Sequence, residues 1–170
     1  MNSETTFTLW RLLREQGPSE FGLMAQVFLA ICFKQFGAEI RALKQTGHPD
    51  IEFFYQDKLW RIETEFIAPL KDSYDIKQED LDATISESPV DTGYISLLNC
   101  NFPARWILVN TEVLLIEGIR KISTSRLQSI CNTELSGACS SWSNQFISVN
   151  KNMLLNMKYS SLRDHFLLEE

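Results

Sequence analysis

The stretch Gly47-His48-Pro49-Asp50-Ile51-Glu52-Phe53-Phe54-Tyr55-Gln56-Asp57-Lys58-Leu59-Trp60-Arg61-Ile62-Glu63-Thr64-Glu65-Phe66-Ile67 decides how the chain is read. Pro49 disfavours helix at His48 and starts an extended segment. Ile51 to Tyr55 is rich in aromatic and branched residues and predicts a strand. Gln56-Asp57-Lys58 has the length of a hairpin turn. Leu59 to Ile67 then alternates: Trp60, Ile62, Thr64 and Phe66 point one way, and Arg61, Glu63, Glu65 and Ile67 the other. One face is apolar enough to bury. The other carries two carboxylates roughly 7 Å apart, which repel unless something positive stands near them. A metal ion, Arg61 or water are the alternatives.

Asp50, Glu63 and Glu65 together form a spacing suited to a divalent cation. Each also has a plainer reading. Asp50 after a proline can bond nearby turn amides. Glu63 and Glu65 can be a solvated strand face paired with Arg61 or Lys58. His48, a lone histidine in a turn, is either structural or a phosphate or metal contact.

Outward from this stretch, Ser19 to Phe36 carries apolar residues at helical spacing, with Ser19 placed to cap it and Glu20 in its first turn, where the helix dipole favours negative charge. Gly37 stops that helix. Residues 1–16 predict a short amphipathic helix, and Ala38 to Gln45 an edge strand. Beyond the central stretch, Pro69 to Asp75 reads as a loop and Ile76 to Ile85 as a helix. Tyr94 to Cys100 and Arg105 to Val109 read as strands, with Thr111 to Ile116 extending the second or forming another. Ser123 to Cys131, Thr133 to Val149 and Ser160 to Leu168 read as helices. The simplest architecture is a mixed α/β sheet flanked by helices.

The chain has 170 residues, 44% of them hydrophobic and 22% charged, the composition of a folded globular protein. One domain over 1–170 is expected, with a core from about 19 to 116 and a C-terminal helical extension over about 123–170. The net charge of -6 means that any contact with nucleic acid needs a local positive patch or bound cations. Cys32, Cys100, Cys131 and Cys139 are scattered without a close Cys-x-x-Cys pair, which argues against a zinc site. There is neither a cationic, apolar leader nor a run long enough to span a bilayer, so the expectation is a reducing cytoplasm and no membrane. No nucleophile elbow and no Gly-rich phosphate loop is present.

A helix, a strand beginning at Pro49-Asp50, and a neighbouring strand carrying Glu63-Thr64-Glu65, followed by another helix, resemble the PD-(D/E)XK nuclease superfamily, in the variant whose triplet is Glu-x-Glu. Twelve residues separate Asp50 from Glu63. The resemblance covers roughly Ser19 to Val109. It implies a restriction endonuclease-like α/β fold, a central mixed sheet of about five strands flanked by helices, here with extra C-terminal helices. It further implies a Mg2+-dependent (or Mn2+-dependent) endonuclease that hydrolyses phosphodiester bonds of nucleic acid, DNA ahead of RNA, with a homodimer as a fitting assembly.

On this resemblance Asp50 and Glu63 are direct metal ligands and the Thr64 carbonyl a third. Glu65 orients or deprotonates water, or binds a second metal, and Glu20 is a water-mediated ligand from the first helix. Glu65 stands where the family usually has Lys; Arg61 and Lys71 are the candidate replacements for that charge. The alternative is a catalytically degenerate relative that keeps the fold as a binding or assembly module.

Overall fold

In the computed structural model, residues 1–43, 49–85 and 92–168 are described. The chain begins with two helices, α1 (Ser3–Gln16) and α2 (Pro18–Gln35), then lays down β1 (Glu39–Leu43), β2 (Ile51–Tyr55) and β3 (Lys58–Ile67). After a three-residue strand β4 (Ser73–Asp75), helix α3 (Gln78–Ile85) crosses to β5 (Gly93–Asn99), and β6 (Arg105–Asn110) follows. The remainder is α4 (Thr111–Glu117), β7 (Lys121–Ser123), α5 (Thr124–Ile130), α6 (Thr133–Leu154), α7 (Tyr159–Arg163) and a π-helical turn over Asp164–Leu168. No described helix is long and apolar enough to cross a membrane.

The central sheet has five strands in the order β1-β2-β3-β5-β6. β1, β2 and β3 are antiparallel neighbours, β3 and β5 are parallel, and β6 runs antiparallel to β5. The parallel step needs a crossover, which α3 supplies. The hairpin between β2 and β3 is tight because Gln56 and Asp57 both take positive φ, 53° and 61°, the geometry of the turn whose twist matches the flanking strands.

Two apolar layers sandwich the sheet. On one side lies α2, buried nearly all round: Phe21, Met24, Val27, Phe28, Leu29, Ile31 and Phe33 are all closed from solvent. A helix of that kind must have neighbours on its outer side as well. They are α1, through Leu9 and Leu12, and the C-terminal helices, through Cys139, Ile147, Leu154 and Leu162. On the other side Leu81, Leu114, Ile122 and Leu127 pack against Ile67, Ile95, Leu97, Ile107 and Val109. β5 is therefore buried on both faces along its whole length. The alternation expected in β3 is kept: Trp60 and Ile62 join the α2 side and Ile67 the opposite side.

Helix α6 does more than extend the domain. β6 is an edge strand, and its outward amides would be left unpaired. Two serines on one face of α6 take them up: Ser136 Oγ accepts from Leu108 N and Ser140 Oγ from Trp106 N, both at 2.9 Å, while a third, Ser143 Oγ, accepts from the Trp106 indole at 2.9 Å. The polar run around Ser136-Gly137-Ala138-Cys139-Ser140 is thus an edge cover.

The structure corrects several expectations. α2 starts at Pro18 rather than after a Ser19 cap, because Gly17 at φ 87° breaks α1 from α2 and proline suits the first helical position. Residues 111–116 are helical, since the Asn110 side chain accepts from Glu112 N and caps them. The segment read as a loop contains β4, which pairs with β7 in a two-stranded ribbon. β1 is bulged between Ile40 and Ala42, and its expected end at Gln45 lies outside the described residues, as does His48.

Removing the Ser136 hydroxyl leaves the buried Leu108 amide without its acceptor. Ser136→Ala is expected to lower stability by about 1–3 kcal/mol, read from the urea midpoint at unchanged slope.

Candidate functional site

The β2–β3 ladder ends where Ile51 faces Ile62. β3 continues for five more residues, Glu63 to Ile67, paired with β5 on its other side. The chain just before β2 is folded against this edge. The Asp50 carboxylate accepts from Thr64 N at 3.0 Å, and Asp50 N donates to Glu63 Oε1 at 3.2 Å. Asp50 therefore does bond a backbone amide, but one fourteen residues away across the strand, not one in its own turn. Because the N–H and C=O of one strand residue point to the same side, the Thr64 carbonyl faces this edge too.

The two carboxyl groups that this double contact brings together are themselves hydrogen-bonded. Burial, the Asp50 charge, that carboxyl–carboxyl bond and the more distant Asp80 charge push Glu63 up to about 9, against the opposing effect of the Asp50 amide. Glu63 thus keeps its proton near neutrality in the metal-free protein.

A groove of about 320 Å³ runs along this edge, between β3 and α2. Asp50, Glu63, Thr64, Glu65 and Phe66 line it from the sheet; Ser19, Gly22, Leu23 and Gln26 line it from the helix. Glu65 is partly exposed, with Lys77 Nζ 3.9 Å from its Oε1. Asp80, on α3, is 8% exposed and accepts from the Tyr74 hydroxyl at 3.2 Å. Burial raises the Asp80 carboxyl, while the Tyr74 hydrogen bond and Lys77 pull it down. Burial and then the Asp80, Glu65 and Glu63 charges hold the Tyr74 phenol well above its ordinary range.

Helix α3 lies close enough to deliver Asp80 because of Gly93. A Cβ there would collide with the Thr84 carbonyl, and Thr84 Oγ1 meets Thr111 Oγ1 at 2.7 Å. The glycine lets the end of α3 press onto β5.

The expected residues thus divide. Asp50 and Glu63 meet, and Thr64 and Glu65 share their groove. Glu20 does not: its Oε1 accepts from Tyr159 N at 2.6 Å and ties α2 to α7. The reason is helical phase. Ser19, Gly22, Leu23 and Gln26 recur every three or four residues and form the groove face, whereas Glu20 is rotated about 100° from Ser19. Arg61 is committed elsewhere: it is buried, with Nη2 3.0 Å from Glu52 Oε2 and Nη1 donating to Ala83 O at 3.4 Å. Lys71 is exposed and does not line the groove.

Gln26, Tyr74, Lys77 and Asp80 were not legible as site residues. Asp80 belongs to a helix, and Lys77 to the connection just before it, whose position depends on the crossover, and Gln26 sits in an apolar run that signals only core. Among the described residues no group of three His, Cys, Asp or Glu side chains converges closely enough to hold a metal ion.

Because Glu63 binds a proton in the folded chain that it lacks when unfolded, stability falls as pH rises from about 4.5 towards about 9. In the presence of a chelator, the melting temperature of the wild type is expected to fall across that window. Glu63→Gln, which does not titrate, is expected to show a flatter profile and to overtake the wild type by several degrees at the alkaline end. Parallel profiles for the two proteins refute the assignment. Comparison with protein-family models, with curated proteins and with solved structures finds no match to this chain.

Proposed function

We propose that the protein is a metal-dependent nuclease that hydrolyses phosphodiester bonds of nucleic acid, built on a restriction endonuclease-like fold. The observation that carries this reading is the Asp50–Glu63 carboxyl pair, locked at the free edge of the central strand and open to a groove. The order of elements agrees with it: a helix, three antiparallel strands, a crossover helix, and a strand parallel to the third.

The donor set fits a hard divalent cation. All its candidate ligands are oxygens: Asp50, Glu63 and the Thr64 carbonyl. Magnesium is commonly held by one or two carboxylates, with water and substrate phosphate completing its shell, so two converging carboxylates suffice. A bound Mg2+ or Mn2+ would polarise a phosphoryl oxygen and make a bound water more acidic. The rest of the chemistry falls to the chain. Glu63 releases the proton it keeps in the metal-free protein. Asp50 holds its orientation through the Thr64 amide. Glu65, on the same strand face, is exposed enough to take a proton from water and pass it to solvent. Lys77, beside Glu65, supplies positive charge near the position where the family usually has Lys, which neither Arg61 nor Lys71 does.

A second reading is favoured by one feature. Glu65 replaces that Lys and, among the described residues, no third carboxylate converges on the pair, as in a relative that keeps the fold for binding or assembly. Incubation with labelled single- and double-stranded DNA and RNA in Mg2+ or Mn2+ separates the two. Cleavage that chelator abolishes, and that Asp50→Asn lowers by at least about 100-fold, is the expected result. Intact substrate under every condition favours the binding module.

A further inference from the structure

Gln26 lies in the middle of α2 among Met24, Ala25, Val27 and Phe28, all closed from solvent. It is itself 5% exposed, yet its Oε1 has no hydrogen-bond partner among the described residues. Thr64 is 4% exposed, and its Oγ1 is likewise unpartnered. A buried polar atom left unpaired is costly, and native chains seldom tolerate one without a use. Both residues line the groove, Gln26 on its helix wall and Thr64 on its strand wall, together with Asp50 and Glu63.

The chemistry of the atoms narrows what would satisfy them. The Gln26 amide oxygen only accepts hydrogen bonds, and the Thr64 hydroxyl accepts or donates. A phosphate oxygen cannot serve Gln26 Oε1, because both are acceptors. The partner must present O–H or N–H groups. Thr64 N is already spent on Asp50, so the missing donor is not the backbone of this edge.

We infer that Gln26 and Thr64 accept hydrogen bonds from the water shell of a divalent cation held by Asp50 and Glu63. They are positioning residues that fix the coordinated waters without touching the metal. This inference rests on the metal reading above and adds to it an outer layer contributed by α2. Magnesium and manganese retain several waters, each a strong donor once coordinated, and outer partners of this kind typically change metal affinity by about 10–100-fold. The arrangement also gives the helix a role that Glu20, turned towards α7, does not take.

The test uses the full chain and Mn2+ alone, by calorimetric titration, together with melting curves in chelator. The variants are Gln26→Leu, Gln26→Glu, Thr64→Val and Asp50→Asn. Gln26→Leu is expected to weaken Mn2+ binding about 10-fold, while the metal-free melting temperature stays level or rises because an unpaired polar group has been removed. Gln26→Glu, which keeps an acceptor in place, is expected to hold wild-type affinity or exceed it. Thr64→Val is expected to weaken binding in the same direction as Gln26→Leu, which keeps the inference testable if the leucine variant does not fold.

Wild-type affinity in both Gln26→Leu and Thr64→Val, with binding abolished in Asp50→Asn, overturns the inference and leaves the metal reading standing. Equal loss in Gln26→Leu and Gln26→Glu also overturns it. No Mn2+ binding by the wild type overturns the metal reading and this inference with it.

Discussion

The ladder between β2 and β3 stops at Ile51 and Ile62, while β3 runs on, and the site follows from how the chain treats the amide left over at Thr64. A strand edge is a row of donors and acceptors that must be paired, wetted or covered. Here a side chain does the pairing: Asp50 takes the Thr64 amide and presents its own amide to Glu63. Two carboxylates that would avoid each other in water are thereby fixed together. The geometry that closes a sheet edge is the same geometry that brings the two carboxyl groups together, the pair on which the proposed cation site rests.

One face of the sheet shows two solutions to buried negative charge side by side. Glu52 is fully closed from solvent and meets Arg61 at 3.0 Å and Arg41 at 3.1 Å. That carboxylate is neutralised by fixed cations, and a pair of this kind is strongly destabilised if one partner is lost. Two residues along β3, Glu63 faces Asp50 instead and keeps a proton. Arg61 is held by Glu52 and by the Ala83 carbonyl. Charge balance at the groove is left to a proton, to Lys77 at Glu65, and in the proposed function to a metal ion. A carboxyl held in that state is unfavourable for folding near neutrality, and carboxyls so perturbed cluster at functional sites.

The two helices that pack against β3 are placed by contacts remote from the groove. α2 is fixed by the apolar layer around it, which sets the helical phase that brings Gln26 to the groove and turns Glu20 to α7. α3 is fixed by its close approach to Gly93 and the Thr84–Thr111 contact, which brings Asp80 near Glu63 and within reach of the Tyr74 hydroxyl on β4. The C-terminal helices act at one further remove. Their serines close the far edge of the sheet at β6, on the opposite side of β5 from the edge beside Asp50.

Local pattern determined much of this. Alternation in β3 assigned its faces, the aromatic run of β2 marked its neighbour, and the Pro49-Asp50 step marked where that neighbour starts. These signals lie in short stretches whose period reports directly on backbone conformation. Thr111 to Ile116 shows their limit, because a branched apolar run fits strand or helix equally and a single Asn110 cap decided it. What only the tertiary structure decided were the partners: Arg61 for Glu52, Lys77 for Glu65, Tyr159 for Glu20, the presence of Gln26 at the groove and of the Asp80 charge near Glu63. Each depends on which helix face meets which strand, and that is set by the packing of the whole core around α2 and by the crossover through α3. Charge in a sequence names the groups that must be satisfied, and only the fold determines which of them find a partner.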